Sequence, residues 1–203
     1  MKMKLFAILP LLAGLGACSS EPVIVHYYAL VPPVSAAEEV VQRPDKPALV
    51  IERVDLAEYL RQSGMIIQSG DNQLLVSRNN LWAESLELAL PKALVRKLQL
   101  QSNDYSYYLK NVDWVDRTDY RLRLRIDSLQ ATDKGEVVAA GRYQLISEHG
   151  SNPHVFADFN FRRDLDQDGY EHVVEQIQAL LAQIAEAILG SVQGLSEQER
   201  PVL

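Results

Sequence analysis

Apolar and polar side chains alternate along the second half of the chain, as they do in strands with one buried face. The alternation runs through residues 120–127, 136–146 and 154–163, and turn-forming residues separate these segments at 133–135 and 149–153. We therefore predict a three-stranded antiparallel meander. Its core face is expected to carry Tyr120, Leu122, Leu124, Ile126, Val155, Ala157, Phe159 and Phe161.

The first half of the chain contains shorter segments of β type. Residues 24–30 and 48–56 are rich in β-branched and aromatic residues, which favour strands. Residues 65–68 and 73–77 flank Gly-Asp-Asn at 70–72, a sequence typical of hairpin turns. The pattern predicts two strands followed by a hairpin.

A first helix is indicated by leucines that recur every four residues from Leu86 to Leu98. Asn80 is a plausible N-cap, so the helix is expected to begin near that residue. Pro91 is unfavourable inside a helix because it removes a hydrogen bond and clashes with the preceding turn. We therefore predict either a kink at Pro91 or a later start than the apolar pattern suggests.

A second helix is predicted from Tyr170 to about Leu189, with Gly190 as its stop. Its buried face is expected to carry Val173, Ile177, Leu181, Ile184 and Ile188. Together the elements predict one α+β domain over residues 23–195, followed by a polar tail at 196–203. In this fold two main helices pack on a mixed or antiparallel sheet that ends in the meander.

The N-terminus predicts a lipid anchor. Residues 1–17 have a basic start and an apolar run too short to span a bilayer, as in a signal peptide. The sequence LGAC, ending at Cys18, has leucine at −3, which suits the bacterial lipobox better than an ordinary secretory site. On this interpretation Cys18 is diacylated, becomes the N-terminus, is acylated again and begins a tether at 18–22. The alternative is a plain signal peptide with an incidental cysteine.

Composition narrows the function classes. The 203 residues include 47% hydrophobic and 23% charged residues, and the net charge is −7. An acidic chain of this kind argues against nucleic-acid binding, which needs a basic face. Anionic lipids would not attract it either, so we expect membrane attachment to be covalent. The four histidines lack metal-ligand spacing and no catalytic motif is present, so we predict neither an enzyme nor a cofactor.

One stretch, DLDQDGYEHVVE at 164–175, matches the calcium-loop pattern at every specified position. The metal-ligand hypothesis takes Asp164, Asp166, Asp168 and Glu175 as ligands. However, the preceding segment alternates like a strand, whereas an EF-hand needs a helix there. We favour the interpretation that Asp168 and Glu171 form a capping box at a helix start, and predict no metal.

Two features are candidates for a partner-binding surface. The alternation places Arg121, Arg123 and Arg125 on the polar face of one strand, where Asp127 and Asp158 would balance them in a purely solvated face. Trp82 is a second candidate, with a simple core position as the favoured alternative. The tyrosine-rich segment 104–110 is typical of interfaces and also of a half-buried strand.

The order of these motifs resembles the ABC-type transport auxiliary lipoproteins, specifically the PqiC-like group. The resemblance rests on four short motifs that follow in order along nearly the whole mature chain. They are LGAC; Tyr-Tyr-Ala-Leu at 27–30; Asn-Asn-Leu-Trp-Ala at 79–83, taken as opening the first helix; and Asp-Gly-Tyr at 168–170, opening the last.

The resemblance implies an outer-membrane lipoprotein that faces the periplasm and works with an MCE-type protein, which carries lipids or other hydrophobic molecules between membranes. It also implies a fold like the N-terminal domain of TolB, assembly as a homo-oligomeric ring and no chemistry. Ser19, at the position after Cys18, is similar to outer-membrane sorting signals. Two other hypotheses stay open: a lipoprotein activator or assembly cofactor of a cell-wall enzyme, and a calcium-dependent binding module.

Overall fold

The computed structural model describes residues 22–31, 45–111, 117–149 and 154–198. Its elements are one mixed sheet, two long helices and a short 3-10 helix at Glu58–Arg61. The strands are β1 His26–Tyr28, β2 Ala48–Leu56, β3 Gly64–Ser69, β4 Gln73–Trp82, β5 Ser106–Leu109, β6 Tyr120–Thr132, β7 Glu136–Ser147 and β8 His154–Asp164. The long helices are α1 Leu86–Gln101 and α2 Tyr170–Gln198.

Strand β6 organises the sheet. On one side it pairs antiparallel with β7, which pairs antiparallel with β8, so the predicted meander is confirmed. On the other side β6 pairs parallel with β2 along its first part and with β3 at Ala131 and Thr132. Strand β5 pairs parallel with β2, β4 pairs antiparallel with β3, and β1 pairs parallel with β4. This α+β architecture with a mixed sheet confirms the predicted fold class.

Both long helices contribute to a core on one face of the sheet. All four predicted core positions of β6, which are Tyr120, Leu122, Leu124 and Ile126, are buried. On β8 only Phe159 is fully buried among the predicted core positions, and the other three are half-buried. Helix α2 is long and apolar enough to cross a membrane, but its Ile177, Leu181, Ile184 and Ile188 are buried in this core. We therefore identify α2 as a core helix.

Helix α1 begins later than predicted. Its N-cap is Ser85, and residues 79–82 belong to β4, where Tyr28 of β1 pairs with Trp82. Asn80 is therefore not an N-cap; its side-chain amide donates to the Ser77 hydroxyl. The prediction of a helix opening at 79–83 is wrong, because strand pairing on both sides outweighs the local helical pattern. The helix begins at Leu86, the first leucine of the pattern, and not later than the pattern suggests, so Pro91 lies inside the helix.

Helix α2 continues beyond its predicted end. It passes through Gly190 and reaches Gln198, so the predicted stop at Gly190 is wrong. Val192 and Leu195 extend the buried face, with exposed fractions of 0% and 2%. Their burial offsets the helix cost of glycine, about 1 kcal/mol. The first part of the predicted polar tail is therefore helical.

Two hairpin turns meet at one end of the sheet. The turn between β3 and β4 contains Gly70 at φ 61°, and the turn between β6 and β7 contains Gly135 at φ 74°, values that favour glycine. The Asp133 carboxylate accepts hydrogen bonds from the Gly70 N–H at 2.8 Å and the Ser69 hydroxyl at 3.1 Å. Asp133 thus fastens the β3–β4 hairpin to the meander.

Candidate functional site

The face of the sheet opposite the helices presents polar side chains to solvent across four strands. The inter-strand register aligns Arg53, Arg123, Gln144 and Phe156 in one row, and Asp55, Arg125, Arg142 and Asp158 in the next. We call these eight residues the open sheet face. The faces follow from the alternation, because buried Leu122 and Leu124 direct the residues between and after them outward.

Each arginine of the β6 stripe has a carboxylate partner. The Arg123 Nε donates to Glu52 at 2.6 Å, and the Arg125 Nε donates to Asp127 at 2.6 Å. Arg121 pairs with Glu148. Asp127 and Asp158 were both expected to balance the stripe. Asp127 does so, whereas Asp158 lies 3.9 Å from Arg142 of β7. The charges of the stripe are therefore balanced. Two of the partners, Glu52 and Glu148, are distant from β6 in sequence.

Glu52 holds together two cations from different elements. Its carboxylate accepts from the Lys110 ammonium at 2.7 Å as well as from Arg123, and its side chain is 14% exposed. The hydrogen bond from Arg123, and to a smaller extent the one from Lys110, outweighs the effect of burial and lowers the pKa of Glu52 to about 2. A carboxylate that is always ionised near neutral pH cannot act as a general acid. The cluster is a structural lock beside a shallow cavity of about 230 Å³.

Phe156 is an exposed aromatic residue on the open sheet face. Its exposed fraction is 69%, and the His154 ring meets it edge-on at 5.3 Å between centroids. Aromatic and arginine side chains are enriched in the centres of protein interfaces. The sequence signal was present, because a phenylalanine occupies a polar-side position of the alternating strand, but sequence reasoning did not select it.

The other predicted interface features are buried. Trp82 is 7% exposed and belongs to the core, which corrects its assignment to a partner surface. Within the tyrosine-rich segment, Tyr107 and Tyr108 are 3% and 7% exposed because β5 covers the edge of β2. Burial raises the pKa of Tyr107 to about 12. These tyrosines contribute packing.

The acidic segment before α2 is organised around a buried histidine. His172 lies within 2.7 Å of Asp166 through Nε2 and within 3.0 Å of Glu175 through Nδ1. Two of the hypothetical calcium ligands are thus engaged by an imidazole. In the described part of the chain, no group of three histidine, cysteine, aspartate or glutamate side chains is arranged to hold a metal ion.

The start of α2 differs in detail from the predicted capping box. The helix does begin at Tyr170, after Gly169 at φ 112°. Within the described ranges, however, Asp168 makes no side-chain hydrogen bond to the first turn. The hydrogen bond from Val173 N–H to the Gly169 carbonyl closes that turn, and the His172 contacts fix the preceding loop.

A buried carboxylate, Asp119, was not predicted as a notable residue. Its side chain is 0% exposed. The carboxylate accepts hydrogen bonds from the Ala48 N–H at 2.8 Å and from the Arg117 Nε at 2.9 Å, and it lies 2.8 Å from His149 Nε2. Burial alone would raise the pKa of Asp119, but these hydrogen bonds outweigh it and lower the pKa. Asp119 thus connects the start of β2, through the Ala48 N–H, with the start of β6.

Comparison with known proteins gives consistent matches along the chain. The model of the family described as ABC-type transport auxiliary lipoprotein component matches residues 28–189. The chain is 25% identical over 181 residues to the intermembrane transport lipoprotein PqiC of Escherichia coli K12, and the match covers 89% of this chain and 93% of that protein.

Two solved structures share the fold. A crystal structure of an uncharacterized protein has a TM-score of 0.68 at 21% identity and covers 83% of this chain and 99% of its own. A protein from Xanthomonas campestris has a TM-score of 0.60 at 17% identity, with 86% and 99% covered.

Cys18 and its lipobox lie outside the described residues, whereas the family match spans most of the domain that follows them. That match, together with similarity to PqiC over nearly the full length of both chains, agrees with the motifs from Tyr27 onward. The chain therefore belongs to the ABC-type transport auxiliary lipoprotein family.

Proposed function

We propose that this protein is a non-enzymatic docking component of an MCE-type system that moves lipids or other hydrophobic molecules between the inner and outer membranes. An acylated Cys18 holds it in the outer membrane, facing the periplasm. The observation that carries the proposal is the family match over residues 28–189, together with a relative named as an intermembrane transport lipoprotein. Ring-like self-assembly, implied by the family resemblance, belongs to the same proposal.

The side chains of the described domain support a binding role. The carboxylates of Glu52 and Asp119, whose pKa values are lowered, are both hydrogen-bonded to cationic side chains, and Asp119 also to a backbone N–H. The open sheet face, in contrast, offers an exposed surface that combines arginines with Phe156. Exposed aromatic and arginine side chains of this kind suit a protein partner.

The anchor places this surface near a membrane. The chain from Cys18 to Val23 spans at most ~20 Å when fully extended. The domain therefore stays within a thin layer above the outer membrane, where a conduit that crosses the periplasm would end. Cys18→Ala should abolish acylation and leave the protein unprocessed or released, and mass spectrometry of the N-terminal peptide measures this. A wild-type Cys18 peptide without acyl mass would disprove the anchor.

Docking is tested with the purified mature domain and the periplasmic region of the MCE-type protein from the same system. We expect direct binding in the presence of a chelator, because no cofactor takes part. Phe156→Ala should weaken binding by about tenfold or more if the open sheet face is the contact. Leu100→Ala is the matched control, because Leu100 is 62% exposed on α1, away from that face, and should bind unchanged.

The outcomes separate the function from the surface. If wild-type protein ignores the MCE-type partner and instead stimulates a cell-wall enzyme, the docking function is wrong. If both alanine variants bind like wild type, docking stands but the open sheet face is the wrong surface. Light scattering of the mature domain tests self-assembly, and a monomer at micromolar concentration would contradict the ring.

A further inference from the structure

The β3–β4 hairpin exposes apolar side chains on both of its faces. Leu74, Leu75 and Val76 are 39%, 48% and 44% exposed. Successive residues of a strand point to opposite faces, so Leu74 and Val76 lie on one face and Leu75 on the other. Clusters of this kind on a soluble domain mark interaction sites, whereas single exposed apolar residues are ordinary.

The outer edge of β4 beside these residues is open. Within the described ranges, β1 pairs only with positions 80–82 of β4, and β3 occupies the opposite edge. The residues that lead into β1 form neither strand nor helix and are also apolar and exposed: Val23 at 69%, Ile24 at 69% and Val25 at 41%. The hairpin and the N-terminal segment therefore both present unused apolar surface.

The direction of β1 brings these two features to the same end of the molecule. Because β1 is parallel to β4, the chain that precedes β1 leaves toward the start of β4, which is the hairpin turn at 70–72. Tyr27 pairs with Leu81, which also pairs with Gly64 at the start of β3. From that level to the hairpin turn, β3 runs over Gly64–Ser69, a distance of about 17 Å.

The reach of the tether then limits how far the turn can be from the membrane. The chain from Tyr27 back to Cys18 spans at most ~31 Å when fully extended. Even a straight tether directed past the hairpin would leave the turn about 14 Å from the anchor point. Slack of about 14 Å in the tether brings the turn to the level of the anchor point, with the exposed leucines next to it.

We propose that residues 73–76 of the hairpin, together with Val23, Ile24 and Val25, form a membrane-contact surface that enters the leaflet holding the acylated Cys18. This inference rests on the lipid anchor of the proposed function. The occupant of the apolar surface is lipid, because the tether keeps the bilayer within reach of these side chains at all times. A second protein would have to be recruited from solution.

Charge at this end sets the depth and the lipid dependence of the contact. Asp71 lies in the turn, and Asp133 fastens the hairpin backbone at Gly70. These carboxylates stay in the hydrated headgroup layer, so the apolar side chains enter only the boundary with the acyl chains. The contact is therefore hydrophobic, and anionic lipids should not strengthen it. The strands rise from the membrane, and the open sheet face stays accessible from the side.

A single-chain anchor makes the contribution of the hairpin measurable. Cys18 is the only cysteine in the chain, so a mature protein starting at Cys18 can be coupled through its thiol to a maleimide that carries one alkyl chain. One chain binds vesicles only marginally and reversibly, so additional contacts change the measured partition. Phosphatidylcholine vesicles provide the neutral surface, and sedimentation gives the bound fraction.

We expect Leu74→Ser combined with Leu75→Ser to lower the partition of the coupled protein by about tenfold or more, because two half-exposed leucines lose their apolar contact. Leu75→Ser alone should give a smaller loss and is the second variant if the double variant folds poorly. Leu100→Ser is the matched control and should partition like wild type, because Leu100 is similarly exposed near the end of α1. Thermal unfolding of each uncoupled variant checks the fold.

Hydrogen exchange gives an independent readout. On vesicles, the amides of residues 23–25 and 73–79 should exchange at least severalfold more slowly than in the uncoupled protein, while those of α1 should not change. Equal partition of wild type and the leucine variants would overturn the proposal. Slowing that depends on protein concentration without vesicles would overturn it in favour of a second copy at the β4 edge.

These results are independent of those for the proposed function. The anchor here is attached chemically, so a hairpin that fails to contact vesicles leaves acylation of Cys18 in cells untouched. Conversely, an unacylated Cys18 in cells would remove the anchor while leaving the vesicle result valid.

Discussion

Glu52→Gln tests whether the ionic lock between β2, β6 and the end of β5 stabilises the domain. The substitution removes the negative charge with little change of shape and leaves the cations of Arg123 and Lys110 without their carboxylate partner. The cavity wall beside the lock keeps its apolar residues, such as Ile51 and Leu109. The change is therefore confined to electrostatics and hydrogen bonding.

The magnitude follows from the lowered pKa of Glu52. A decrease from 4.5 to about 2 sets a ceiling of about 3 kcal/mol on the stabilisation by the ionised form. The side chains of Arg123 and Lys110 are 48% and 55% exposed, so solvent screens their attraction and water replaces the lost contacts. We therefore expect the free energy of unfolding to fall by about 1–2 kcal/mol at pH 7.

The pH dependence provides a sharper check. Because the pKa of Glu52 is lower in the folded state, its contribution is complete above the unfolded value of 4.5 and is lost as pH falls toward about 2. Urea unfolding of both proteins at several pH values should give a constant difference above pH 5 that shrinks below that point.

Glu58→Gln is the matched control for this series. The Glu58 side chain is 91% exposed beside Arg61, so the substitution should change little at any pH. A wild-type minus Glu52→Gln difference that stays the same from pH 7 to pH 3 would refute the reasoning, and so would a variant as stable as wild type at pH 7.

Two further predictions concern buried polar groups. Asp119→Ala should lower the free energy of unfolding by about 2–4 kcal/mol, because it leaves the buried Ala48 N–H without an acceptor and separates Arg117 and His149 from their carboxylate; urea unfolding measures this, and a loss below 1 kcal/mol would contradict it. Excess chelator should leave Tm unchanged, and a Tm that falls by several degrees with chelator would restore the calcium hypothesis. Asp168→Ala should lower the free energy of unfolding by no more than about 0.5 kcal/mol, because no cap hydrogen bond is lost. His172→Ala should lower it by at least ~1 kcal/mol, because the buried imidazole contacts Asp166 and Glu175.

The family was recognisable from short motifs, yet one of them proved to have a different structural role. Tyr-Tyr at 27–28 forms β1 as predicted, although the strand covers only His26–Tyr28 and not 24–30. Asn-Asn-Leu-Trp at 79–82 continues β4 and does not open a helix. A motif can therefore identify a family while its conformation is assigned wrongly, because the identity of its residues does not reveal the strand with which they pair.

The candidate surface was predicted only in part. The alternation in 120–127 placed the arginines on the polar face correctly, because period-two patterning is a local property of one strand. Their partners were not predictable, since Glu52 lies on β2, far from Arg123 in sequence. The alternation of β8 indicates that Phe156 lies on the polar face, but it does not indicate whether another element covers that face; among the described residues none does, and Phe156 is exposed.

The sequence by itself determined the features that depend on neighbours along the chain. Alternation predicted the meander, turn-forming residues at 70–72 and 133–135 predicted the turns, and the apolar periodicity predicted the buried face of α2. Tertiary structure decided where elements end. Helix α1 starts at Leu86 because β1 and β3 pair with the residues before it, and α2 passes Gly190 because Val192 and Leu195 bury against the core. The reason is energetic: a local preference is worth up to about 1 kcal/mol per residue, while strand pairing and burial of one large side chain contribute comparable or larger amounts that only the assembled fold supplies.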